Sequence, residues 1–205
     1  MYLVPKSKFE AELEIKKSRF IASLNRATTR QSALSFLNAV KKEYSNANHH
    51  CWAYVLGNPG KNCSAASDDD GEPSGTAGKP ILNILQHKQA GDTIVVVSRY
   101  FGGIKLGAGG LVRAYSQAAQ RVAEISQFYW FESQIVVSVN CDFPQENLVR
   151  VWAENNQSCI VNAVYSSTVD LQIRIPESKL SDLKNFLENN QINSCRLEEP
   201  NSEAP

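Results

Sequence analysis

The stretch that decides the fold of the first half of the chain is residues 67–115, SDDDGEPSGTAGKPILNILQHKQAGDTIVVVSRYFGGIKLGAGGLVRAY. Nine of the 11 glycines of the chain lie within this segment. Glycine is favoured where φ must be positive or where the backbone must approach another group closely. The concentration of glycine therefore indicates that the segment has a packing or binding task that an ordinary loop does not have.

The second half of this stretch predicts a buried strand, a glycine-rich loop and a helix, in that order. Residues 94–97, IVVV, are apolar on both faces, as in a central strand, and residues 111–127 show the helical spacing of apolar side chains. This order leaves unpaired backbone N–H groups at the helix start, which favours an anion there. We therefore predict an anion-binding or nucleic-acid-binding surface formed by Arg99, Gly102, Gly103, Lys105, Gly107, Gly109, Gly110 and Arg113.

The glycines of this loop have an alternative interpretation, in which they only allow the strand and the helix to pack tightly. A glycine loop alone is weak evidence for a phosphate site, and no G-K-[ST] triplet of a P-loop occurs. Three cations beside the loop make anion binding an equally good interpretation. Aromatic residues near these cations could stack on bases, although core packing is the simpler role for most of Tyr54, Tyr100, Phe101 and Tyr115.

A second candidate site combines acidic and histidine residues that precede the central strand. The segment 68–72, DDDGE, could hold Mg²⁺ through carboxylate oxygens, but it lacks the alternating ligand spacing of a calcium loop. Capping of the following turn and pairing with Lys79 or Arg99 is the preferred interpretation. The candidate residues of this second site are His49, His50, Asp69, Asp70, Glu72, Thr76 and Lys79, and we predict no metal site and no cofactor.

The two histidines stand at the entrance of a predicted strand over residues 50–56. Successive residues of a strand face opposite sides, so at most one of His49 and His50 can join a given site. Imidazole titrates near neutral pH and often serves catalysis, but no Ser-His-Asp or Cys-His arrangement is evident in the sequence. A hydrogen-bonded structural histidine is therefore the preferred interpretation.

Apolar periodicity predicts the remaining elements and a two-domain α+β protein. A hairpin over residues 8–15 and 19–24, a helix over 30–44 with Thr29 as N-cap, a long loop over 61–79 and a helix over 81–88 complete the first domain. After residue 133 the order becomes βαββαβ, which is typical of a ferredoxin-like sandwich. The predicted domains are an N-terminal αβ domain over 1–131, a ferredoxin-like domain over 132–199 and a disordered tail over 200–205.

The charge pattern indicates the kind of partner, and the cysteine pattern indicates the cellular compartment. Residues 1–130 carry 16 Lys and Arg against 10 Asp and Glu, whereas residues 131–205 carry 5 against 11. This split indicates that the first domain meets an anionic partner. The five cysteines are odd in number and include no C-x-x-C pair, which favours a reducing compartment. With no signal peptide or membrane span in the sequence, we predict a cytoplasmic protein.

Three motifs together resemble the IMPACT family and in particular its bacterial YigZ-type members. They are HHCWAY at residues 49–54, DDGEPSGTAGKP at 69–80 and RYFGGIKLG at 99–107. The resemblance implies a first domain with the fold of the fourth domain of elongation factor G, and a second domain like that factor's ferredoxin-like domains. It also implies a role in regulating translation.

These observations lead to two functional hypotheses from different classes. The first is a cytosolic, translation-linked regulatory protein, more a binding protein than an enzyme, whose basic glycine-rich surface binds RNA or a ribosome-associated partner. The alternative is an enzyme or binding protein for a nucleotide or another phosphorylated small molecule, with Mg²⁺ held by the acidic residues. A plain protein-interaction module is a third option.

Overall fold

The computed structural model describes residues 1–61, 63–192 and 195–197, and the chain divides into two units, Met1–Phe131 and Glu132–Pro205. Both units combine helices with antiparallel sheet, so the predicted two-domain α+β class is confirmed. The tail over 200–205, predicted to be disordered, lies outside the described residues. No helix of the described residues is long and apolar enough to span a membrane.

The N-terminal unit is built on a five-stranded antiparallel sheet with helices on both faces. Its elements are β1 (Tyr2–Pro5), β2 (Phe9–Ile15), β3 (Ser18–Arg26), α1 (Arg30–Glu43), β4 (His49–Leu56), β5 (Ser64–Asp68), α2 (Gly78–His87), β6 (Thr93–Tyr100), α3 (Ala108–Ile125) and β7 (Phe128–Phe131). The strand order in the sheet is β2-β3-β6-β4-β5. Strand β6, predicted as central, lies in the middle of the sheet and is buried along nearly its whole length.

The alternation of side chains along β6 separates two hydrophobic cores. Val95 and Val97 belong to the core that contains α2 and α3, whereas Ile94 and Val96 pack with α1 on the opposite face. Since successive strand residues point to opposite faces, an unbroken run of β-branched residues fills both cores at once. The glycine loop that follows β6 is thereby joined to a strand fixed from both sides.

Two elements of the N-terminal unit differ from the sequence-based prediction. Residues 64–68, predicted as loop, form edge strand β5, which pairs with β4. Their small and polar side chains hide the strand pattern, because one-sided pairing demands little apolar burial. Strands β1 and β7 were also not predicted, since each has only four residues and they pair from opposite ends of the unit's sequence.

The C-terminal unit has the predicted strand–helix–strand–strand–helix–strand order. Its elements are β8 (Gln134–Cys141), α4 (Phe143–Asn155), β9 (Cys159–Tyr165), β10 (Val169–Pro176), a 3-10 turn (Glu177–Lys179), α5 (Leu180–Asn189) and β11 (Cys195–Leu197). The antiparallel strand order is β11-β8-β10-β9. Alternate β10 residues from Val169 to Ile175 pack against Val149 of α4 and Leu183 of α5, which gives this unit a core of its own.

Candidate functional site

The glycine loop, residues 101–107, leaves its backbone open to solvent. Gly103 has a φ of +84° and Gly107 a φ of +70°, a region that other residues adopt at a cost. Apart from the adjacent residues and, at Gly109, the backbone of its own helix, no described atom lies within 4 Å of the position that a Cβ would take at Gly103, Gly107 or Gly109. Packing therefore does not explain the glycine at 109, where φ is not positive, and the space above all three can admit a ligand.

Gly102 serves packing instead, and it brings a second loop to the site. A Cβ at Gly102 would lie 1.9 Å from the backbone of Lys17, and the Gly102 N–H donates to Ser18 Oγ at 3.2 Å. Lys16 and Lys17 form the two-residue turn between β2 and β3. Because the glycine loop and this turn are in backbone contact, the two lysines lie beside the glycines.

The start of helix α3 has an unopposed positive end. The N-cap is Gly107, which has no side chain to accept a hydrogen bond, and the first turn, AGGL, carries no carboxylate. The first N–H groups of a helix have no partner within the helix, and the macrodipole adds a partial positive charge there. In an 18-residue helix this end favours an anion.

Four exposed cations surround the open glycines: Lys16, Lys17, Lys105 and Arg113. Within the described residues, none of the four has an ion-pair partner, whereas Lys8, Arg19 and Lys41 each pair with a carboxylate. Lys16 and Arg113 line a groove of about 280 Å³ together with Gly110. Leu106 borders this groove and also the neighbouring cleft that Lys105 lines. We call the four residues the cation cluster.

Arg99 is not part of the exposed surface, which corrects its predicted role as a surface contact. Its Nη1 donates to Glu72 Oε1 at 2.5 Å, and the two side chains are only 7% and 4% exposed. The hydroxyl of Tyr115 donates to the same oxygen at 2.7 Å. Glu72 and Arg99 therefore form a buried, hydrogen-bonded ion pair, so the charge of Arg99 is neutralised by Glu72 and is not presented at the surface.

The Arg99 guanidinium packs near two aromatic rings. Its central carbon is 5.5 Å from the ring centroid of Phe20 and 5.6 Å from that of Phe101. The buried Nε has no hydrogen-bond partner among the described residues. Of the four aromatic residues considered as base-stacking candidates, Phe101 is 48% exposed, whereas Tyr54 and Tyr115 are core residues.

Asp69 caps helix α2 from outside the helix. Its carboxylate accepts the N–H groups of Gly75 at 2.7 Å, Ala77 at 2.9 Å and Gly78 at 2.8 Å. Burial raises the pKa of Asp69, but these backbone donors outweigh burial and hold it below the ordinary value. A Cβ at Gly78 would lie 2.7 Å from the backbone of Asp68, so the helix end fits against β5 only with glycine.

Asp70 joins β4 and α1 through partners different from those of Asp69. It accepts the backbone N–H of His50 at 2.6 Å and Lys41 Nζ at 3.1 Å, and its carbonyl contacts His49 Nδ1 at 2.8 Å. Burial raises its pKa, but these donors outweigh burial and lower it. In the part of the chain that the structure describes, no three His, Cys, Asp or Glu side chains are grouped so as to hold a metal ion.

The remaining predicted residues of the second site are held in structural contacts or lie apart. His50 Nδ1 contacts Ser98 Oγ at 2.9 Å in the interior, and burial lowers the pKa of His50. The Thr76 hydroxyl donates to the Pro73 carbonyl at 2.6 Å within the turn. Lys79 is exposed on α2. The second group of residues thus shapes the 69–80 loop and does not converge as one catalytic constellation.

Cys51 and Tyr115 extend the buried network around Glu72. Cys51 Sγ lies 3.3 Å from the Tyr115 hydroxyl and 3.0 Å from the Asp69 carbonyl. Burial raises the pKa of both the thiol and the phenol, so both stay protonated at neutral pH and act as donors. The HHCWAY, DDGEPSGTAGKP and RYFGG motifs therefore meet in one buried network at Cys51, Glu72 and Arg99, completed by Tyr115.

Comparison with known proteins shows to which family the chain belongs. The model of the Impact N-terminal domain matches residues 16–123. An IMPACT family member from Haemophilus influenzae is 41% identical over 179 residues, which cover 87% of each chain. This chain belongs to the IMPACT family. The family member YigZ from Escherichia coli is 34% identical over 88% of this chain and 89% of its own, so the resemblance to YigZ-type proteins is confirmed.

The second half of this IMPACT protein also has a match, and a solved structure covers both halves. Residues 139–190 match a domain of unknown function, DUF1949. The crystal structure of a hypothetical protein superposes with a TM-score of 0.68 at 32% identity and covers 98% of both chains. The glycine loop, the turn at residues 16–17 and the Glu72–Arg99 pair all lie within the IMPACT N-terminal match.

Sequence reasoning missed Lys16 and Lys17 as members of the surface. The Lys-Lys turn was visible in the sequence as the connection of a hairpin, but only the sheet order places this turn against the glycine loop. The contact of Gly102 with Lys17 spans 85 positions and leaves no local signal. The other half of the cation cluster, Lys105 and Arg113, was predicted from the loop itself.

Proposed function

We propose that this IMPACT protein is a translation-linked regulatory protein whose cation cluster and open glycines bind RNA. The observation that carries the proposal is the cation cluster near the uncapped start of α3, whose members have no ion-pair partner among the described residues. Lys and Arg neutralise backbone phosphates and release counterions, which drives RNA binding without a deep pocket. The link to translation rests on family membership.

The site suits a phosphate backbone better than a compact anion. Lys16 and Arg113 line one groove and Lys105 the next, so the positive charge is spread along the surface. Open glycines allow the backbone of the loop to approach a phosphate closely. Successive phosphates of an extended strand can thus be met in turn by separate cations and by the helix end.

The proposal is tested with charge-reversal variants in the complete chain. Lys105→Glu with Arg113→Glu places two carboxylates in the cluster, and the matched control is Arg30→Glu with Lys42→Glu, two exposed cations of α1 on the opposite face of the sheet. We expect the wild type and the control to bind a fluorescent single-stranded RNA and purified ribosomes. The cluster variant should bind neither. Equal binding by all three proteins, or none by the wild type at 50 mM salt, contradicts the proposal.

A ribosome-associated protein is the other partner to which the cluster could bind. Binding to ribosomes that persists after nuclease treatment of the exposed RNA, with no binding to free RNA, would assign the surface to such a protein. The experiment above includes both partners, so the two outcomes are distinguished directly.

The second candidate function is binding or turnover of a nucleotide or another phosphorylated small molecule. It is favoured by the cleft of about 280 Å³ that adjoins the start of α3 and is lined by Lys105 and Gly107. Carboxylates for Mg²⁺ are less well supported, because Asp69 and Asp70 are occupied by backbone N–H donors. A thermal-shift screen of nucleotides with and without Mg²⁺ tests this function, and the absence of any shift counts against it.

The proposal includes the finer fold assignments and the location in the cell. The antiparallel order β11-β8-β10-β9 with two helices supports a ferredoxin-like C-terminal domain. The N-terminal domain is proposed to share the fold of the fourth domain of elongation factor G, as the family resemblance implies. The odd cysteine count, with Cys51, Cys63, Cys141 and Cys159 free, supports the cytoplasm as its compartment.

A further inference from the structure

The cleft beside the glycine loop is lined by apolar side chains that suit a flat ring. Its sides are formed by Phe101, Leu106, Leu111 and Pro73. Phe101 is 48% exposed although it follows a central strand directly. An exposed aromatic side chain at the mouth of an apolar cleft offers a stacking surface, and stacking on such rings is how proteins hold unpaired bases.

Two of the charged residues that line the cleft are buried. Glu72 and Arg99 line the cleft with side chains more than nine-tenths buried. The Arg99 Nε has no hydrogen-bond partner among the described residues, and a buried donor without a partner is costly. A carboxylate acceptor and a guanidinium donor side by side can satisfy a ligand edge that has both acceptors and donors, as the edge of a nucleobase has.

The rim of the same cleft suits a phosphate. Lys105, Gly107 and Ala108 line the cleft, and the last two begin helix α3. The uncapped helix end and Lys105 therefore border the same cleft as the apolar walls, and a helix end of this kind favours an anion. A volume of about 280 Å³ lies below the range of about 300–1,000 Å³ for drug-sized ligands, so the cleft accommodates a group of the size of one ring system.

We propose that this cleft receives one unstacked base of the bound nucleic acid, with Phe101 as the stacking surface, the Glu72–Arg99 pair at the base edge and the helix end with Lys105 at the adjoining phosphate. The inference rests on the proposed RNA binding and adds a base-recognition site to it. The same chemistry would admit a free nucleotide, and the experiment separates the two sources.

The test compares two single-stranded RNAs of equal length, one with normal bases and one with abasic sugars throughout. Both carry the same phosphates, so the cation cluster acts on both equally. Base stacking predicts that the wild type binds the normal strand about tenfold more tightly than the abasic strand. Equal affinity for the two strands overturns the cleft proposal, while measurable binding of both leaves the proposed function standing.

A variant that fills the cleft tests whether the preference for the strand with normal bases arises there. Ala108 lines the cleft and is exposed, so Ala108→Phe can fill the cleft without removing a charge or a core contact. We expect Ala108→Phe to bind the normal strand as weakly as the abasic strand, and Ala108→Ser, which leaves the cleft open, to keep the wild-type preference. A tenfold preference that survives in a folded Ala108→Phe protein overturns the assignment to this cleft.

The last part of the experiment measures binding of adenosine monophosphate and competition by inorganic phosphate. Adenosine monophosphate that binds the wild type as tightly as the RNA does, and is lost in Ala108→Phe, supports the cleft with a free nucleotide as its ligand. Inorganic phosphate that competes as well as the nucleotide contradicts base recognition. If the wild type binds no RNA at all, the proposed function itself is refuted.

Discussion

Arg99 donates to Glu72 at 2.5 Å in the interior of the N-terminal unit, so two conspicuous charged residues of the family motifs neutralise each other next to the glycine loop. Tyr115 shares the Glu72 oxygen and Cys51 contacts Tyr115. This network anchors the 69–80 loop to β6 and α3. The cations that remain without a carboxylate partner among the described residues, and so are available for a phosphate, are those of the surrounding cluster.

Removal of one partner of this pair should be strongly destabilising. Arg99→Met leaves Glu72 as a buried carboxylate without its cation, and Glu72→Leu leaves the guanidinium unpaired, so each is expected to cost about 3–5 kcal/mol of unfolding free energy. The double variant leaves no unpaired charge and should cost clearly less than the sum. Urea unfolding of the four proteins measures the coupling, and additive costs would show that the pair does not act as a unit.

Asp69→Ala should weaken the cap of helix α2 and make the unfolding free energy of the protein less sensitive to acid. Loss of the acceptor for three backbone N–H groups is expected to cost about 2 kcal/mol at neutral pH, the upper end for a helix cap. Exposed Glu14→Ala on edge strand β2 serves as the control and should have little effect.

The pH dependence of Asp69 follows from its lowered pKa. Its stabilising contribution is fully present above the ordinary carboxyl pKa of 3.8 and is lost as the pH falls through the lower folded value. Unfolding free energy measured from pH 5 to pH 2 should therefore fall more steeply for the wild type than for Asp69→Ala. Parallel curves would contradict the capping role.

Gly109→Ala separates stability from binding. Apart from its chain neighbours and the backbone of its own helix, a Cβ at this position meets no described atom within 4 Å, and alanine is favoured over glycine in a helix by about 0.5–1 kcal/mol. We expect a higher melting temperature together with weaker RNA binding, because the methyl group obstructs approach to the helix end. Exposed Asn83→Ala on α2 should raise stability without changing RNA binding. Unchanged affinity in Gly109→Ala would remove this glycine from the site.

The strained turn of the cation cluster gives a similar contrast. Lys16 has a φ of 47° and Lys17 a φ of 62°, and such left-handed conformations cost about 1–2 kcal/mol each for ordinary residues. Replacement of the pair by Asn-Gly, which suits this turn, should stabilise the protein and weaken RNA binding. Gln89→Gly relieves a similar φ of 55° at a residue outside the cluster, and it should stabilise the protein without an effect on binding. RNA affinity unchanged by Asn-Gly would contradict a role for the two lysines.

Much of the fold was predictable because its signals are local. The IVVV run of β6 and the helical periodicity of α1 and α3 depend on neighbours in sequence, and the structure has all three elements. Strand β5 and the β1–β7 pair were missed because their pairing partners are distant and their apolar patterns are short. Burial and register, which decide such strands, are properties of the tertiary structure.

The candidate site was predictable in part for the same reason. Lys105, Gly107 and Arg113 belong to a continuous segment and were predicted from it. Arg99 was assigned to the surface because sequence shows its charge and not its burial, and a buried Glu72 partner 27 positions away leaves no local pattern. The lysine turn at 16–17 joined the site only through the backbone contact of Gly102.

The salt dependence of RNA affinity tests the central claim most directly. Each phosphate contact on a single strand contributes about −0.7 to the slope of log K against log salt concentration. The Lys105→Ala, Arg113→Ala double variant should therefore bind single-stranded RNA more weakly and with a slope shallower by about 1.4, whereas Arg30→Ala with Lys42→Ala should match the wild type. Equal slopes and affinities for the wild type and the cluster variant would contradict RNA binding at this surface.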